Sequence, residues 1–600
     1  MNVRAAKGLR AFHLDRNALR RATNWLVGSP TGLVASAIVV GLGAGVGAVA
    51  FRYLILWFTV LFTGYQDYAG AGHVANPLIP FLGMWFVALT PVVGGLLYGP
   101  LTERFAREAR GHGVPEVMLA VAERGGRIRP RVAVIKALAS AICIGAGGSV
   151  GREGPIVQIG SALGSSIGQA LGSSASRLRL LVACGAAGGI SATFNAPIAG
   201  VLFGLELILR DFEAGSFGVV VLSSVAANIV GRAAFGTSPF LILPPFAVGS
   251  RWEFLLYAAL GLLAGLAGVA FIKALYGLED LVDRIWRGPE WLRPAVGGAA
   301  LGLLLLALPQ MYGVGYPVVE QAIGGRYGAW MLLLLLGGKV LATSLTIAIG
   351  GSGGVFAPSL FMGAMLGTAF GQVLHVVLPG TVSSPGAYGL VAMGAVFAAA
   401  ARAPLTSAVI IFELTDEYRT ILPLLFSIAI ATGVSSVLAR DTIYTLKLRR
   451  RGIDIGRPRL VSPLEGITVA EAMGPSPEPL LEEQVLRSVI ERFAREHRDE
   501  LPVISSAGDY RGTLTSQTVE QALRDNAFDD PIGSMVLATP TVASDENLES
   551  ALRTLLRHDL AGLPVVGGDN NSVIGWLTHR DVLRAYRDWR MRRGSKESSP

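Results

Sequence analysis

Between about residues 31 and 440 the chain consists of long apolar runs, and nothing else limits its possible folds so severely. A helix of ~20 predominantly apolar residues crosses a bilayer. Residues 78–97, 255–272 and 330–349 each read as such a helix. Hydrophobic residues make up 52% of the 600 and charged residues only 16%, whereas roughly a quarter of an average globular chain is charged. The mean hydropathy is +0.51. After about residue 451 the text changes to that of an ordinary soluble protein.

The 76 glycines would argue for turns or disorder in a soluble chain. Inside apolar helices they argue for close helix packing and for broken helices. Cys143 and Cys184 both stand in apolar sequence, so two small buried thiols are expected, without a disulfide or a metal site. The net charge of +8 gathers at the flanks of the apolar region. Arg4, Lys7, Arg10, Arg16, Arg20 and Arg21 precede it, and Lys447, Arg449, Arg450 and Arg451 follow. The positive-inside rule then places both termini in the cytoplasm. No basic–aromatic motif supports nucleic-acid binding. No compact apolar core with a small-residue cleavage site stands at the N-terminus, so no removed signal peptide is expected.

The apolar region is internally repeated. Gly148-Ser-Val-Gly-Arg-Glu-Gly-Pro155, continuing through Gly160, Leu163, Gly164, Gly168, Gln169 and Leu171, recurs 203 residues later as Gly351-Ser-Gly-Gly-Val-Phe-Ala-Pro358, continuing through Gly363, Leu366, Gly367, Gly371, Gln372 and Leu374. Asn195-Ala-Pro-Ile, eleven residues before Glu206, recurs 207 residues later as Arg402-Ala-Pro-Leu before Glu413. Repeats in an apolar domain characterise transporters, whose substrate site lies between the halves near mid-membrane. Sequence alone leaves parallel or inverted halves open; inversion is the expectation. Glycine–proline clusters in register point to helices that start within the membrane. Such a start presents free N–H groups and the positive end of a helix dipole, which attract an anion without lysine or arginine. A helix-packing face is the alternative for any one cluster taken alone.

Two shorter units repeat after Arg451. Met473, Leu501-Pro-Val503 and Gly512-Thr-Leu-Thr515 recur as Met535, Leu563-Pro-Val565 and Gly575-Trp-Leu-Thr578, at offsets of 62 to 63. Each reads as strand, amphipathic helix, strand pair and helix. This resembles a tandem CBS pair, a regulatory module that often binds adenine nucleotides.

Four ordered motifs over about residues 21–450 resemble the CLC family of chloride channels and exchangers. Gly111-His-Gly-Val-Pro115-Glu116 is similar to the first anion-binding signature, Gly151-Arg-Glu-Gly-Pro155 to the second and Gly354-Val-Phe-Ala-Pro358 to the third. Tyr444 stands where the family has its inner-gate tyrosine. The resemblance implies a homodimer with one pore per subunit. It also implies an anion site formed by His112, Gly113, Arg152, Gly154, Val355, Phe356 and Tyr444. Glu153 resembles the family's external gating glutamate. It faces Phe356 in the repeat alignment, so one half carries a carboxylate where the other carries a ring. An intramembrane carboxylate marks a functional site by default. At an anion-attracting helix end it competes with chloride, and protonation swings it away. A salt bridge to an arginine is the bland alternative, as an interfacial aromatic is for Tyr444.

Two positions depart from the family pattern. His112 replaces the usual serine. Its imidazole either faces the anion, donating through N–H and becoming cationic near physiological pH, or turns away to a carbonyl. Leu207 stands where exchangers usually carry an inner glutamate, which favours passive, pH-gated conduction over proton-coupled exchange. Water and His112 are the alternative proton routes. Glu206 and Glu413 then read as structural groups receiving backbone N–H donors. In the CBS pair, Thr578-His-Arg-Asp581 resembles the nucleotide signature, with threonine for phosphate and aspartate for ribose. The first repeat, Thr515-Ser-Gln-Thr518, lacks the aspartate.

The expected architecture is an all-α polytopic membrane domain of two related, inverted halves with broken helices, followed by a C-terminal α/β CBS pair. The expected divisions are a basic cytoplasmic segment at 1–28, the transport domain at 29–450, a linker at 451–463, CBS repeats at 464–527 and 528–590, and a tail at 591–600. No enzyme activity, metal or required cofactor is expected, only an adenine nucleotide at the CBS pair. Gly41-Leu-Gly-Ala-Gly-Val-Gly47 lacks the strand and spacing of a dinucleotide loop. The partners expected are chloride and similar small anions, protons, lipid and a second subunit, in a bacterial inner membrane. A CBS-gated cation transporter is the rival class, but cation sites want acidic or carbonyl-rich linings.

Overall fold

The computed structural model describes residues 26, 29–72, 74–241, 252–455, 463–496, 499–567 and 572–597. They form two compact units that divide after Ile455. The basic residues Arg4 to Arg21 lie outside the described residues.

The first unit opens with α1 (Pro30–Thr63), a continuous helix that contains the Gly41–Gly47 run. The Ser29 hydroxyl caps it by accepting the Gly32 N–H at 2.9 Å, and Gly64 ends it at φ 78°. Then come α2 (Phe86–Phe105), α3 (Val114–Glu123), α4 (Arg131–Gly145), α5 (Glu153–Ala170), α6 (Ala175–Phe194), α7 (Pro197–Leu202) and α8 (Ala214–Phe235). A π-helical stretch carries α7 on to Leu209. The order repeats as α9 (Glu253–Ile285), α10 (Arg293–Ala307), α11 (Tyr316–Ile323), α12 (Ala329–Ala348), α13 (Phe356–Val377), α14 (Pro385–Ala401), α15 (Pro404–Thr415) and α16 (Ile421–Leu438). Helix α17 (Thr445–Arg450) closes the unit.

Among the described residues, seven helices are long and apolar enough to cross a membrane. Others are not: ten-residue α3 is about 15 Å long, half of a ~30 Å hydrocarbon core. The breaks have local causes. Asn195 (φ 56°) and Arg402 (φ 52°) end α6 and α14 in the left-handed region. Ala-Pro follows each, and proline cannot continue the old helix but suits the first turn of a new one. The apolar stretch 78–97 is likewise divided, into a 3₁₀ segment Pro80–Trp85, with Gly83 at φ 54°, and α2.

Equivalent helices meet: α2 packs on α10 and α7 on α15, while α1 on α8 is matched by α9 on α16. At the centre Gly151 and Gly354, equivalent positions of the repeat, exchange backbone hydrogen bonds of 2.7 and 2.6 Å as an antiparallel pair. A residue paired antiparallel with its own equivalent lies beside a two-fold axis, so the halves run in opposite senses where they meet. Small residues let the backbones touch. A Cβ at Gly160 would lie 2.1 Å from the Gly185 carbonyl oxygen, and one at Gly185 would lie 2.0 Å from that of Gly160, the close approach that drives helix association in lipid. Cys143 and Cys184 are free and buried.

The second unit holds two three-stranded sheets of one design. β1 (Leu480–Leu481), β2 (Glu500–Ile504) and β3 (Tyr510–Thr515) form the first; β4 (Val542–Ala543), β5 (Gly562–Gly567) and β6 (Ser572–Thr578) form the second. In each, the first pair is parallel and the second antiparallel, and a register shift recurs at Val503/Ile504 and Val565/Val566. Helices α18 (Leu486–Glu496), α19 (Ser516–Arg524), α20 (Leu548–His558) and α21 (His579–Glu597) cover them. The repeats interlock. Leu464 and Val469 pack in the core of the second sheet, and Ile532 in that of the first. Gly474 bridges to Trp576 and Leu537 to Thr513, the same contact made reciprocally. A division at 527/528 therefore follows chain order, while each core borrows the opening segment of the other repeat.

Candidate functional site

Three glycine-rich segments braid at the centre of the first unit, each just before a helix start. Gly111 N–H donates to Gly351 O at 3.0 Å, Gly353 N–H returns to Gly111 O at 3.3 Å, and the Gly151–Gly354 pair joins the other two strands of the braid. These contacts bring together the N-termini of α3, α5 and α13. Gly154 has no room for a side chain: a Cβ would lie 2.1 Å from the His112 carbonyl oxygen and 3.0 Å from Gly354 Cα. Six of the seven residues named from the sequence as an anion site, His112, Gly113, Arg152, Gly154, Val355 and Phe356, belong to these segments, and Tyr444 closes on them from the start of α17.

Glu153 is fully buried. Its Oε1 accepts the Tyr316 hydroxyl at 2.6 Å and its Oε2 accepts the Ala357 N–H at 3.4 Å. A carboxylate thus sits on the first turn of α13, where unpaired N–H groups and the helix dipole favour negative charge. Among the described residues Glu153 forms no ion pair. The neighbouring Arg152 guanidinium instead lies 4.9 Å from the Phe240 ring centroid and 5.5 Å from those of Phe194 and Tyr316.

His112 is 1% exposed, and neither ring nitrogen has a hydrogen-bond partner among the described residues. The carbonyl-bonded alternative is therefore not the arrangement adopted. The imidazole lies 6.2 Å from the Tyr444 ring and 6.4 Å from the Tyr276 ring. It sits in the field of Lys447, Lys136 and Arg451. Lys136 is fully buried and donates to Ala109 O at 2.9 Å and Gly111 O at 2.8 Å, which holds the loop before His112. Tyr444 is 1% exposed, unlike a belt residue at a membrane surface.

Glu206 and Glu413 cap each other's halves. Glu206 accepts the Leu405 and Thr406 N–H groups at 3.2 and 2.8 Å and the Thr406 hydroxyl at 2.6 Å. Glu413 accepts the Ile198 and Ala199 N–H groups at 3.0 and 2.7 Å. Leu207 is a buried apolar residue of the π-helical stretch.

Two features escape the motif reading. Tyr316, the partner of Glu153, belongs to Gly313-Val-Gly-Tyr-Pro317, which repeats Gly111-His-Gly-Val-Pro115 at an offset of 202. Lys339 repeats Lys136 at 203; it is buried and donates to Ser149 Oγ, Gly313 O and Val314 O at 2.9, 3.2 and 3.1 Å. A lysine inside an apolar helix, recurring at the repeat offset, was the available signal. In the second unit Thr578 and Asp581 do meet, at the start of α21: Asp581 Oδ2 accepts the Thr578 N–H at 3.0 Å and its hydroxyl at 2.6 Å.

Residues 94–436 match the family described as voltage gated chloride channel, and residues 532–588 match the CBS domain. A putative chloride channel protein ClcB-like from Ralstonia nicotianae is 36% identical over 421 residues, 68% of this chain and 96% of its own length. An H(+)/Cl(−) exchange transporter ClcA from Vibrio parahaemolyticus is 37% identical over 363 residues, 58% of this chain and 76% of its own. The crystal structure of a slow cyanobacterial Cl−/H+ antiporter is 29% identical, with a TM-score of 0.63 over 71% of this chain and 99% of that one. A eukaryotic CLC transporter, 23% identical, shares the fold with a TM-score of 0.58 over 92% of this chain and 97% of that one. With the braided helix starts and the inverted halves, these matches place the chain in the CLC family, as an anion-transporting membrane protein that carries a C-terminal CBS domain.

Proposed function

We propose that this protein exchanges chloride, or a similar small anion, for protons, with Glu153 as the protonatable gate. The observation that carries the reading is the Glu153 carboxylate on the first turn of α13, the place an anion would take. Ionised, it competes with the anion for the Val355 and Phe356 end of that helix. Protonated, it loses the charge that holds it there and yields the site. The proton so bound and the anion that replaces it then move in opposite directions. His112, in an electropositive surround, gives one ring N–H to the anion, and Gly113, Arg152, Gly154 and the Tyr444 hydroxyl complete the pathway. Such donors bind an anion well enough to admit it and weakly enough to release it.

The exchange names of the ClcA relatives and of the cyanobacterial antiporter support coupling. Passive, pH-gated conduction is the second reading, and Leu207 favours it, since an alkyl chain at that position carries no proton. Replacing Glu153 by Gln tests the gate. Chloride flux in proteoliposomes becomes insensitive to pH and moves no protons; a retained pH dependence rejects Glu153 as the gate. The reading extends to a homodimer in a bacterial inner membrane with both termini cytoplasmic, and to an adenine nucleotide held by Thr578 and Asp581. No cofactor enters the transport step itself, and the protein is a transporter without enzyme activity.

A further inference from the structure

We propose that the Tyr316 hydroxyl is the relay through which protons reach Glu153 from a neighbouring water-accessible vestibule. The inference rests on Glu153 as the gate and adds the group that delivers its proton. The vestibule is a cavity of about 400 Å³ lined by Arg52, Arg152, Phe194, Asn195, Phe240 and Tyr316, among others. Glu153 is fully buried and is not part of its wall. Tyr316 belongs to both: it lines the cavity, and its hydroxyl lies 2.6 Å from Glu153 Oε1. The other carboxylate oxygen turns inward to the Ala357 N–H.

The tyrosine is held on both sides. Gly315, at φ 89°, turns the chain into α11, which Tyr316 begins. The Lys339 ammonium grips the carbonyls of Gly313 and Val314 and, through Ser149 Oγ, ties that loop to the segment leading to Glu153. The phenol ring packs edge-on against Phe240 at 4.8 Å and lies under the Arg152 guanidinium at 5.5 Å. A phenol fixed in this way is suited to pass a proton on rather than to hold it. A hydronium in the vestibule gives a proton to the Tyr316 oxygen as the original O–H proton moves to Glu153 Oε1. One O–H bond forms and one breaks at the phenol, which ends neutral, while the carboxylate becomes a carboxylic acid. Among the described residues the charged and titratable groups that act on Glu153 are Arg152, Lys339, Tyr316 and Tyr444, and the cavity wall beside Tyr316 adds Arg52, Asp67, Tyr68 and Glu320. Neither cation bonds Oε1 in the phenol's place: Lys339 Nζ bonds Ser149, Gly313 and Val314, and the Arg152 guanidinium lies over the aromatic rings.

Tyr316→Phe keeps the ring and removes only the relay oxygen. Reconstituted in proteoliposomes, the variant is acidified from the bath, to which the proteins with the vestibule outward respond, and chloride flux and proton flux are followed in time. The expected result is at least a tenfold slower rise of chloride flux and a tenfold lower proton flux than in the wild type. The double variant Glu153→Gln with Tyr316→Phe should carry chloride within twofold of Glu153→Gln alone, because a gate that needs no proton needs no relay. A Tyr316→Phe response as fast as the wild type overturns the relay. An equal loss of chloride flux in the Glu153→Gln background also overturns it, by showing general damage to the pathway. If Glu153→Gln itself keeps a normal pH response, the gate assignment fails and the relay fails with it. A pH-insensitive Glu153→Gln beside a wild-type-like Tyr316→Phe removes the relay alone.

Discussion

The reciprocal caps at Glu206 and Glu413 separate a structural carboxylate from a proton-carrying one. Each lies in an apolar helix of one half and takes the free N–H groups at a helix start of the other. A hydrogen bond to a charged group contributes about 1.5–3 kcal/mol. Glu413→Ala removes two such bonds and should cost about 3–6 kcal/mol on that scale. Glu206→Ala removes three, including the Thr406 hydroxyl, and should cost about half as much again. Glu→Gln keeps one acceptor oxygen but turns an NH₂ toward the second N–H, so each amide variant should lose about 1.5–3 kcal/mol. Thermal denaturation of the detergent-solubilised protein reads the order: wild type above both amides, the amides above Glu413→Ala, and Glu206→Ala lowest. Chloride flux of the amide variants in proteoliposomes should keep the wild-type dependence on pH. An amide variant of unchanged stability that has lost its proton flux would refute the capping argument and make that glutamate a proton carrier.

His112→Ser should shift the chloride-to-nitrate preference measured by competing fluxes, because it replaces an imidazole whose nitrogens have no hydrogen-bond partner among the described residues; an unchanged preference means that the ring does not meet the anion. Asp581→Ala in the full-length chain should weaken adenine-nucleotide binding by calorimetry at least tenfold, while Thr518→Ala leaves it within twofold; equal effects would remove the assignment to the second repeat. Glu500 sets a pH dependence in the CBS unit. Burial pushes its carboxyl above the ordinary glutamate value against the lowering effect of the Ala561 and Gly562 N–H groups. The folded state then binds this proton more tightly than the unfolded state, so its stabilising contribution is complete below about pH 4.3, the unfolded value. It fades as pH rises through the folded-state titration. Protection of the amides of Leu563 and Val565, buried residues of β5, should fall over that window in hydrogen exchange of the wild type and stay level in Glu500→Gln.

Much of this was legible from residues alone because the chain says it twice. The offsets of 203 and 207 revealed two halves, and proline after Asn195-Ala and Arg402-Ala marked where helices restart. The inverted sense was not legible, since a repeat is silent on direction until Gly151 is seen to pair antiparallel with Gly354. Hydrophobic periodicity could not delimit α3, which is short and buried on nearly all sides, or α11, whose eight residues make only about two turns. Tyr316 carries no motif signal, because its loop keeps only the glycines and proline of the matching motif, and its contact with Glu153 bridges 163 positions of sequence. The exchange of opening segments between the CBS repeats was hidden for a similar reason: Ile532 has the same apolar character in either core. Leu207 taken alone argues against coupling, although the named relatives include exchangers; one substituted position speaks only for the route that uses it.

The account stands most directly on whether anion flow drives protons. Purified protein in proteoliposomes, with the membrane potential clamped, is given an inward chloride gradient and no proton gradient, and the internal pH is recorded. The account predicts sustained proton movement opposite to chloride, against the proton gradient that builds up, and its abolition in Glu153→Gln. Chloride flux with a flat pH trace in the wild type would contradict exchange and make the protein a passive, pH-gated anion pathway.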